Sequence, residues 1–468
     1  MPRKILIILS IIIIIFLLIL GALFFITKTP VQEDESAFTK KVREIFPFGK
    51  PSRDPDTLFE GEESVFEEES SPTSTTTATV SKLRKIHGRP TSGSIVWKTK
   101  NEVTKEEEVR VRFVDRATGH VFETTKDSLV TKKISNTTLP KTYEAIFLNP
   151  DSFVARFLDN TDTELIKTYT VTLKNLPLVL ASTTASTTII QNTDITKESI
   201  GLNLDDNIKE ITASPLRNRL LYSLYNENES GTLIVANTNN TNKKKIYESP
   251  LREWLLSWNK ENEATISTKP SGYTQGFAYN LNTNTGNMTK ILGGVFGLTI
   301  KPVGEGDYLV GRGGNGISLF SIKQKTPSTE PVFLGNTLPE KCVASKKETF
   351  IVYCAIPVLI PNGIYPDYWY QGRVTFNDSI WKINTNTATT NLISIPERDG
   401  GESMDAISLE ISEDDSYLTF INKKNLSFWG LILSETKKPI SSTATSTINS
   451  ATTTATTTQT STSTKTTN

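Results

Sequence analysis

Between about residue 81 and residue 434 the chain alternates short apolar stretches with polar turns, and no long segment has helical period. Runs of this kind, bounded by Asn, Gly, Asp and Ser, predict many short β-strands. The runs also recur. Arg219–Leu224 is followed about 44 residues on by Glu263–Thr268, then by Asp307–Arg312, and after a similar step by Thr349–Cys354. Each follows a polar turn, and the same unit appears at Asn149–Phe157 and at Ser412–Phe420. A second run recurs behind the first: Thr232–Ala236, Phe277–Leu281 and Ile380–Ile383 each lead into an Asn-rich turn. Asn and Gly tolerate the positive φ that tight hairpins require.

A period near 44 residues with about four strands in each is the pattern of a β-propeller blade. Six units are plain, and a seventh stands at the front: Ile95–Trp97, Val109–Phe113 and His120–Glu123. The last unit stops early, after Phe428–Leu433. An N-terminal strand near Ile95 is expected to complete it, closing the ring and leaving only short sheet edges. The expectation is therefore an all-β, single seven-bladed propeller over residues 81–434, with six and eight blades as alternatives.

The flanks have other compositions. Ile5–Ile26 is almost wholly apolar and as a helix would span roughly 30 Å of hydrocarbon. Arg3 and Lys4 precede it, whereas Glu33, Asp34 and Glu35 follow. The positive-inside rule then places residues 1–4 in the cytoplasm and the body outside, at the cell membrane. The run is longer than a signal-peptide core, and Ala22-Leu23-Phe24 is a poor cleavage site, so an uncleaved anchor is expected. In the segment 27–80, Phe38–Gly49 reads as a juxtamembrane turn of helix ended by Pro47, or as a stretch lying on the membrane surface. Residues 50–80 are a linker, first acidic and then rich in Ser and Thr, and residues 435–468 are a Thr/Ser-rich tail; neither composition can bury a core.

Charge narrows the function. The 51 basic and 51 acidic residues cancel, which gives no footprint for nucleic acid. Histidine occurs only at His87 and His120, little material for a zinc site or a His-based triad. No metal and no cofactor is expected. The only cysteines, Cys342 and Cys354, straddle a turn centred near Glu348. Equal offsets on antiparallel strands can set them opposite each other, for a disulfide in an oxidising compartment or for two buried free thiols.

One segment breaks the rhythm. Pro357–Phe376 stretches its unit by about half a blade and carries Tyr365, Tyr368, Trp369, Tyr370 and Phe376. Exposed aromatic clusters bind sugars or proteins, so this segment is expected to project from one rim and bind a partner. Packing of the rings onto the neighbouring blade is the alternative. Gly311–Gly316 precedes a further strand and reads as a hairpin turn rather than a phosphate loop. The acidic groups Asp159/Asp162, Asp205/Asp206 and Glu413/Asp414/Asp415 match no calcium loop and read as surface turns.

The repeated hairpins resemble WD-repeat and Tol-type propellers, without the Trp-Asp dipeptide. Together with Phe46–Gly49, Val114–His120, Leu338–Cys342, Tyr353–Pro357 and Tyr365–Gly372, the chain resembles a group of uncharacterised membrane-anchored bacterial propellers. The resemblance implies a fold and a location but no activity. The expected function is non-catalytic: a binding or scaffold module for an envelope protein or a glycan. The alternatives are a glycan-active lyase or hydrolase and a structural envelope protein.

Overall fold

The computed structural model describes residues 81–433 apart from 102, 160–164, 177–195, 228, 305 and 324–329. The apolar run Ile5–Ile26, the linker and the tail lie outside the described residues. Among the described residues no helix is long and apolar enough to cross a membrane.

Twenty-eight strands form seven antiparallel sheets of four. Blade one holds β2 (Thr91–Lys100), β3 (Glu107–Asp115), β4 (Val121–Thr125) and β5 (Lys132–Lys133). Blade two holds β6 (Thr142–Asn149), β7 (Ser152–Leu158), β8 (Ile166–Asn175) and β9 (Lys197–Asn203). Blade three holds β10 (Glu210–Ala213), β11 (Arg219–Tyr225), β12 (Gly231–Asn237) and β13 (Lys244–Ser249). Blade four holds β14 (Trp254–Lys260), β15 (Glu263–Thr268), β16 (Gln275–Asn282) and β17 (Met288–Phe296). Blade five holds β18 (Thr299–Val303), β19 (Asp307–Arg312), β20 (Ser318–Lys323) and β21 (Val332–Gly335). Blade six holds β22 (Cys342–Ala344), β23 (Ile351–Pro357), β24 (Asp378–Asn384) and β25 (Thr390–Ser394). Blade seven takes β26 (Ala406–Ile411), β27 (Tyr417–Asn422) and β28 (Phe428–Ile432) from the end of the body, and its fourth strand, β1 (Leu83–His87), from the beginning.

This is a seven-bladed β-propeller. The closing strand is not the one near Ile95. That stretch is β2, the inner strand of blade one, while Leu83 and Arg84 pair with Leu431 and Gly430 to shut the ring. The Leu83–His87 run is short, with Arg84 and Lys85 among its five residues, and only its pairing with β28 makes a strand of it.

The second strand of each blade has blades on both sides, which explains its composition. In β11, Leu220, Leu221 and Tyr222 are all fully buried, with successive side chains pointing to opposite faces. The core is therefore a set of inter-blade layers. One such layer joins Leu148, Val154, Ile211, Leu220, Tyr222 and Ala236. The Asn-rich turns work through the side chain: Asn282 Oδ1 accepts from the backbone N–H of Asn284 and Thr285, and Asn384 does the same for Asn386 and Thr387. Gly286 closes the first of these turns at φ +80, where a Cβ would lie 1.9 Å from Ile246 O.

Candidate functional site

In a four-stranded meander the connections alternate between ends. The loops joining second to third strands therefore share one face of the ring with the connections between blades. The loop between β23 and β24, residues 358–377, lies on that face and contains the one-turn helix α1 (Asp367–Tyr370). Blade six also carries the disulfide: Cys342 and Cys354 are directly opposite partners on β22 and β23, 4.1 Å apart at Cα, and their sulfurs are bonded.

The loop does not project. It lies across the loops of its neighbours as a strap. Tyr365 and Gly314, in the β19–β20 turn of blade five, exchange backbone hydrogen bonds of 2.7 and 2.9 Å. The approach is so close that a Cβ on Gly313 would meet Tyr365 O at 2.0 Å, which accounts for the glycine run Gly311–Gly316 as a turn. Asp367 reaches blade four, accepting from Ser271 Oγ at 2.9 Å and from Gly272 N–H at 2.6 Å. Lys423, after β27 in blade seven, donates to Trp369 O at 2.7 Å.

Beneath the strap is a buried charge cluster. A single 3-10 turn, Pro339–Lys341, precedes β22 and delivers Lys341 to the interior. Its ammonium donates to Asp405 Oδ1 at 2.5 Å and Asp378 Oδ2 at 2.8 Å, and all three side chains are fully shielded. It also donates to Ala406 O at 3.0 Å and lies over the rings of Trp369 and Phe376. Asp405 Oδ2 in turn accepts from Trp369 Nε1 at 2.8 Å and Phe376 N–H at 3.1 Å. One cation thus faces two carboxylates. Burial pushes Asp378 up to about 6; Lys341 opposes this and the charge on Asp405 adds to it. For Lys341, burial pulls the pKa down, but the two aspartates outweigh it and hold it above the usual lysine range.

These contacts correct the expected exposure of the aromatic cluster. Tyr365 and Phe376 are fully buried and Trp369 is 4% exposed, forming a small core with Ile317 and Leu338. Trp369 and Phe376 stack at 6.0 Å. Tyr368 is half-buried beneath the Arg373 guanidinium, 3.7 Å from its ring. Tyr370 is the one left in the open, 44% exposed, with its hydroxyl donating to Glu340. The physical reason is apolar area: a loop crossing three blades must bury its own rings to stay folded, and the indole N–H finds its acceptor in Asp405.

The most exposed large apolar residues of the strap are aliphatic. Val358 is 69% and Leu359 76% exposed, at the point where the strap leaves β23. Val358 stands on the rim of a groove of about 660 Å³ along blade six, lined by Ile356, Pro357, Trp381, Leu392 and Ile395, with Asp378 and Glu397 among its polar groups. Glu397 belongs to the short helix α2 (Pro396–Gly400) and accepts from Asn377 Nδ2. Asp378 Oδ1 has no hydrogen-bond partner among the described residues. Neither the groove nor the buried cluster was signalled in the sequence. Asp378 lies between Asn377 and Ser379 and Asp405 between Met404 and Ala406, in no spaced motif, and only the fold brings them to Lys341.

The inner strands line the ring's axis, where a second set of ionisable groups meets. Glu410 on β26 is pushed up to about 7 by burial, against the pull of Arg217, Lys346 and Lys301 from three other blades. Glu210 on β10 is likewise pushed up to about 7 by burial and by Glu144 of blade two. Among the acidic turns, Asp205 accepts from Tyr222 Oη and pairs with Lys243, and Asp206 pairs with Lys167. Asp415 accepts from Ser345 Oγ, and Asp162 lies outside the described residues.

The topology alone defines the class: a β-propeller of seven four-stranded blades, closed by a strand from the beginning of the body. No family model matches the chain, and no curated protein matches it either. Solved structures with a similar fold include oligogalacturonate lyase in complex with manganese, at 9% identity and TM-score 0.39, covering 75% of this chain and 99% of that one. The β-propeller domain of the Trilobed protease from Pyrococcus furiosus is similar at 10% identity and TM-score 0.33, covering 58% and 74%. The Neurospora crassa Pan2 WD40 domain is similar at 9% identity and TM-score 0.41, covering 74% and 90%. These likenesses concern the fold.

Proposed function

We propose that the protein is a non-catalytic binding or scaffold module, anchored in the cell membrane by Ile5–Ile26 with its body outside the cytoplasm. Blade six and its strap form the binding face, for an envelope protein or a glycan. The observation that carries this reading is the pair Val358 and Leu359, large aliphatic side chains held in solvent by a strap whose other end is clamped to three blades. Such a preorganised apolar pair at the base of the strap loses little freedom on binding, and adjacent exposed apolar residues that continue into an apolar groove form the kind of patch that marks an interaction surface.

The test uses the full chain in membranes of its own cells. Capture of envelope components by wild type is compared with capture by a V358S/L359S variant. Loss of specific components with an unchanged melting temperature supports the reading; identical capture overturns it. Added protease should remove the body from intact cells or spheroplasts and leave the residues near Met1 protected.

A second reading is favoured by the axis. Glu210 and Glu410, both near 7, have the acidity suited to a general acid or base. A glycan-active enzyme of the envelope would then lose turnover of an oligosaccharide panel in E210Q or E410Q, whereas a binding module would show none to lose.

A further inference from the structure

The groove on blade six has a composition that one segment of this chain complements. Its walls are apolar, its ionisable lining residues are the two carboxylates Asp378 and Glu397, and it contains no basic residue. Asp378 is 1% exposed and retains an unpartnered oxygen. An occupant that fits must bring apolar side chains interleaved with cationic donors. Phe38–Phe48 does this: Phe38, Val42, Ile45, Phe46 and Phe48 alternate with Lys40, Lys41 and Arg43, against one acid, Glu44. Of the other stretches outside the described residues, residues 434–440 bring Lys437 and Lys438 with Ile440 as their one large apolar residue, and residues 27–37 and 324–329 bring one lysine each. Ile5–Ile26 has no charge, residues 50–80 are predominantly acidic, residues 177–195 have no basic residue, and Ser441–Asn468 has no large apolar residue except Ile448.

The chain also enters the body at β25, on the blade-seven side of the strand whose Leu392 lines the groove. Lys82 Nζ donates to Ile393 O of β25 at 2.9 Å, one residue from Leu392 in the groove wall. The 33 residues from 49 to 81 separate Phe48 from Lys82. A flexible chain of that length spans roughly 30 Å on average, enough to cross one blade, and tethering makes the local concentration of the segment on the order of millimolar.

We propose that Phe38–Phe48 docks in the groove between the strap and β25. Its basic side chains would meet Glu397 at the rim of the groove and its apolar side chains the walls, so that a partner of blade six must displace the protein's own segment. This rests on the reading of blade six as the binding face. Docking would also hold the propeller against the membrane, and displacement would release it to the length of its linker.

The experiment places a photo-crosslinking amino acid at Leu392, which is 44% exposed, in the full chain in membranes. Mixed light and heavy isotope-labelled chains tell crosslinks within a chain from those between chains. The expected result is intra-chain crosslinking to residues 38–48, cut by about tenfold in a K40E/K41E/R43E variant, which corresponds to about 1.4 kcal/mol, and partly regained when E397K is added. Those charge reversals lie outside the body, so they should lower its stability by no more than the docking energy they remove, about 1.4 kcal/mol. Crosslinks to another segment, to a second copy, or of unchanged yield after charge reversal each overturn the proposal. Failure here with capture still lost in V358S/L359S defeats docking alone. Docking present with capture unaffected in V358S/L359S defeats the binding-face reading instead.

Discussion

Lys341 and Asp378 form an ion pair of 2.8 Å with both side chains fully shielded from solvent, and the cluster around them is not neutral, because Asp405 shares the same ammonium. The cluster joins the entry of blade six to the entry of blade seven and to the underside of the strap. Removing the cation would leave two buried carboxylates without a counter-charge. K341M should therefore lose about 3–5 kcal/mol of unfolding free energy, measured by denaturant titration of residues 81–434.

The surplus carboxylate gives a pH signature. Asp378 ionises at about 6 in the fold and near 3.8 in the unfolded chain. Between those values the folded state holds the extra proton, so this group's contribution to stability is greatest at low pH and falls as pH rises from about 4 to about 6. In D378N the amide keeps an acceptor for Ala406 N–H and removes the excess charge. The variant should gain on wild type as pH rises through that window, read as the difference between two melting curves at each pH. A constant difference from pH 4 to pH 7 would show that Asp378 does not carry the burial penalty.

Trp369 fills the core of the strap and donates to Asp405. W369A should cost about 3–5 kcal/mol, visible as a large fall in melting temperature. Y370F keeps the ring of an exposed residue and loses only the hydrogen bond to Glu340, so its melting should change by no more than about 1 kcal/mol.

The Cys342–Cys354 bridge closes a short loop, twelve residues in sequence separation. By loop-closure entropy such a link contributes about 3 kcal/mol. The doubly substituted C342A/C354A protein should be destabilised by roughly that amount, and reductant should destabilise wild type but not the variant.

Ring closure depends on five residues at the front of the body. Deleting residues 81–88 should expose the edge of β28, lower the melting temperature and raise the associated fraction in size-exclusion chromatography, since an unpaired strand edge recruits other chains. Deletion only as far as residue 80 should do neither.

The pattern of what could be read beforehand follows from burial. Second strands such as β11, β19 and β23 are covered on both faces and so repeat as apolar runs, and β15 is recognised by its place in the 44-residue period. Third strands such as β12, β16 and β24 announce themselves by the Asn-rich turns behind them. From these the blade count follows. β1 was illegible because Leu83–His87 has two basic residues in five positions and gains its strand character from β28 alone. The strap was located by its broken rhythm, but its orientation was misjudged. Aromatic content marks a place where rings matter without telling solvent from core, and what decides is Asp405 beneath Trp369, a contact between residues 36 apart in sequence. The groove was invisible for the same reason: its walls come from β23, β24, β25 and α2, each ordinary alone.

The clasp at blade seven also fixes how the body would respond to pulling. Leu83 faces Leu431, and Ile432 N–H donates to Lys82 O at 2.8 Å, so the first and last strands meet side by side at one edge. Tension applied between those two points would load the bonds of β1 and β28 singly, like a zipper drawn from its open end, rather than all at once in shear. The same adjacency leaves a force transmitted along the chain free to bypass the other six blades until that one seam parts. The ring is then a pendant with a mechanical fuse, and the fuse is a strand five residues long.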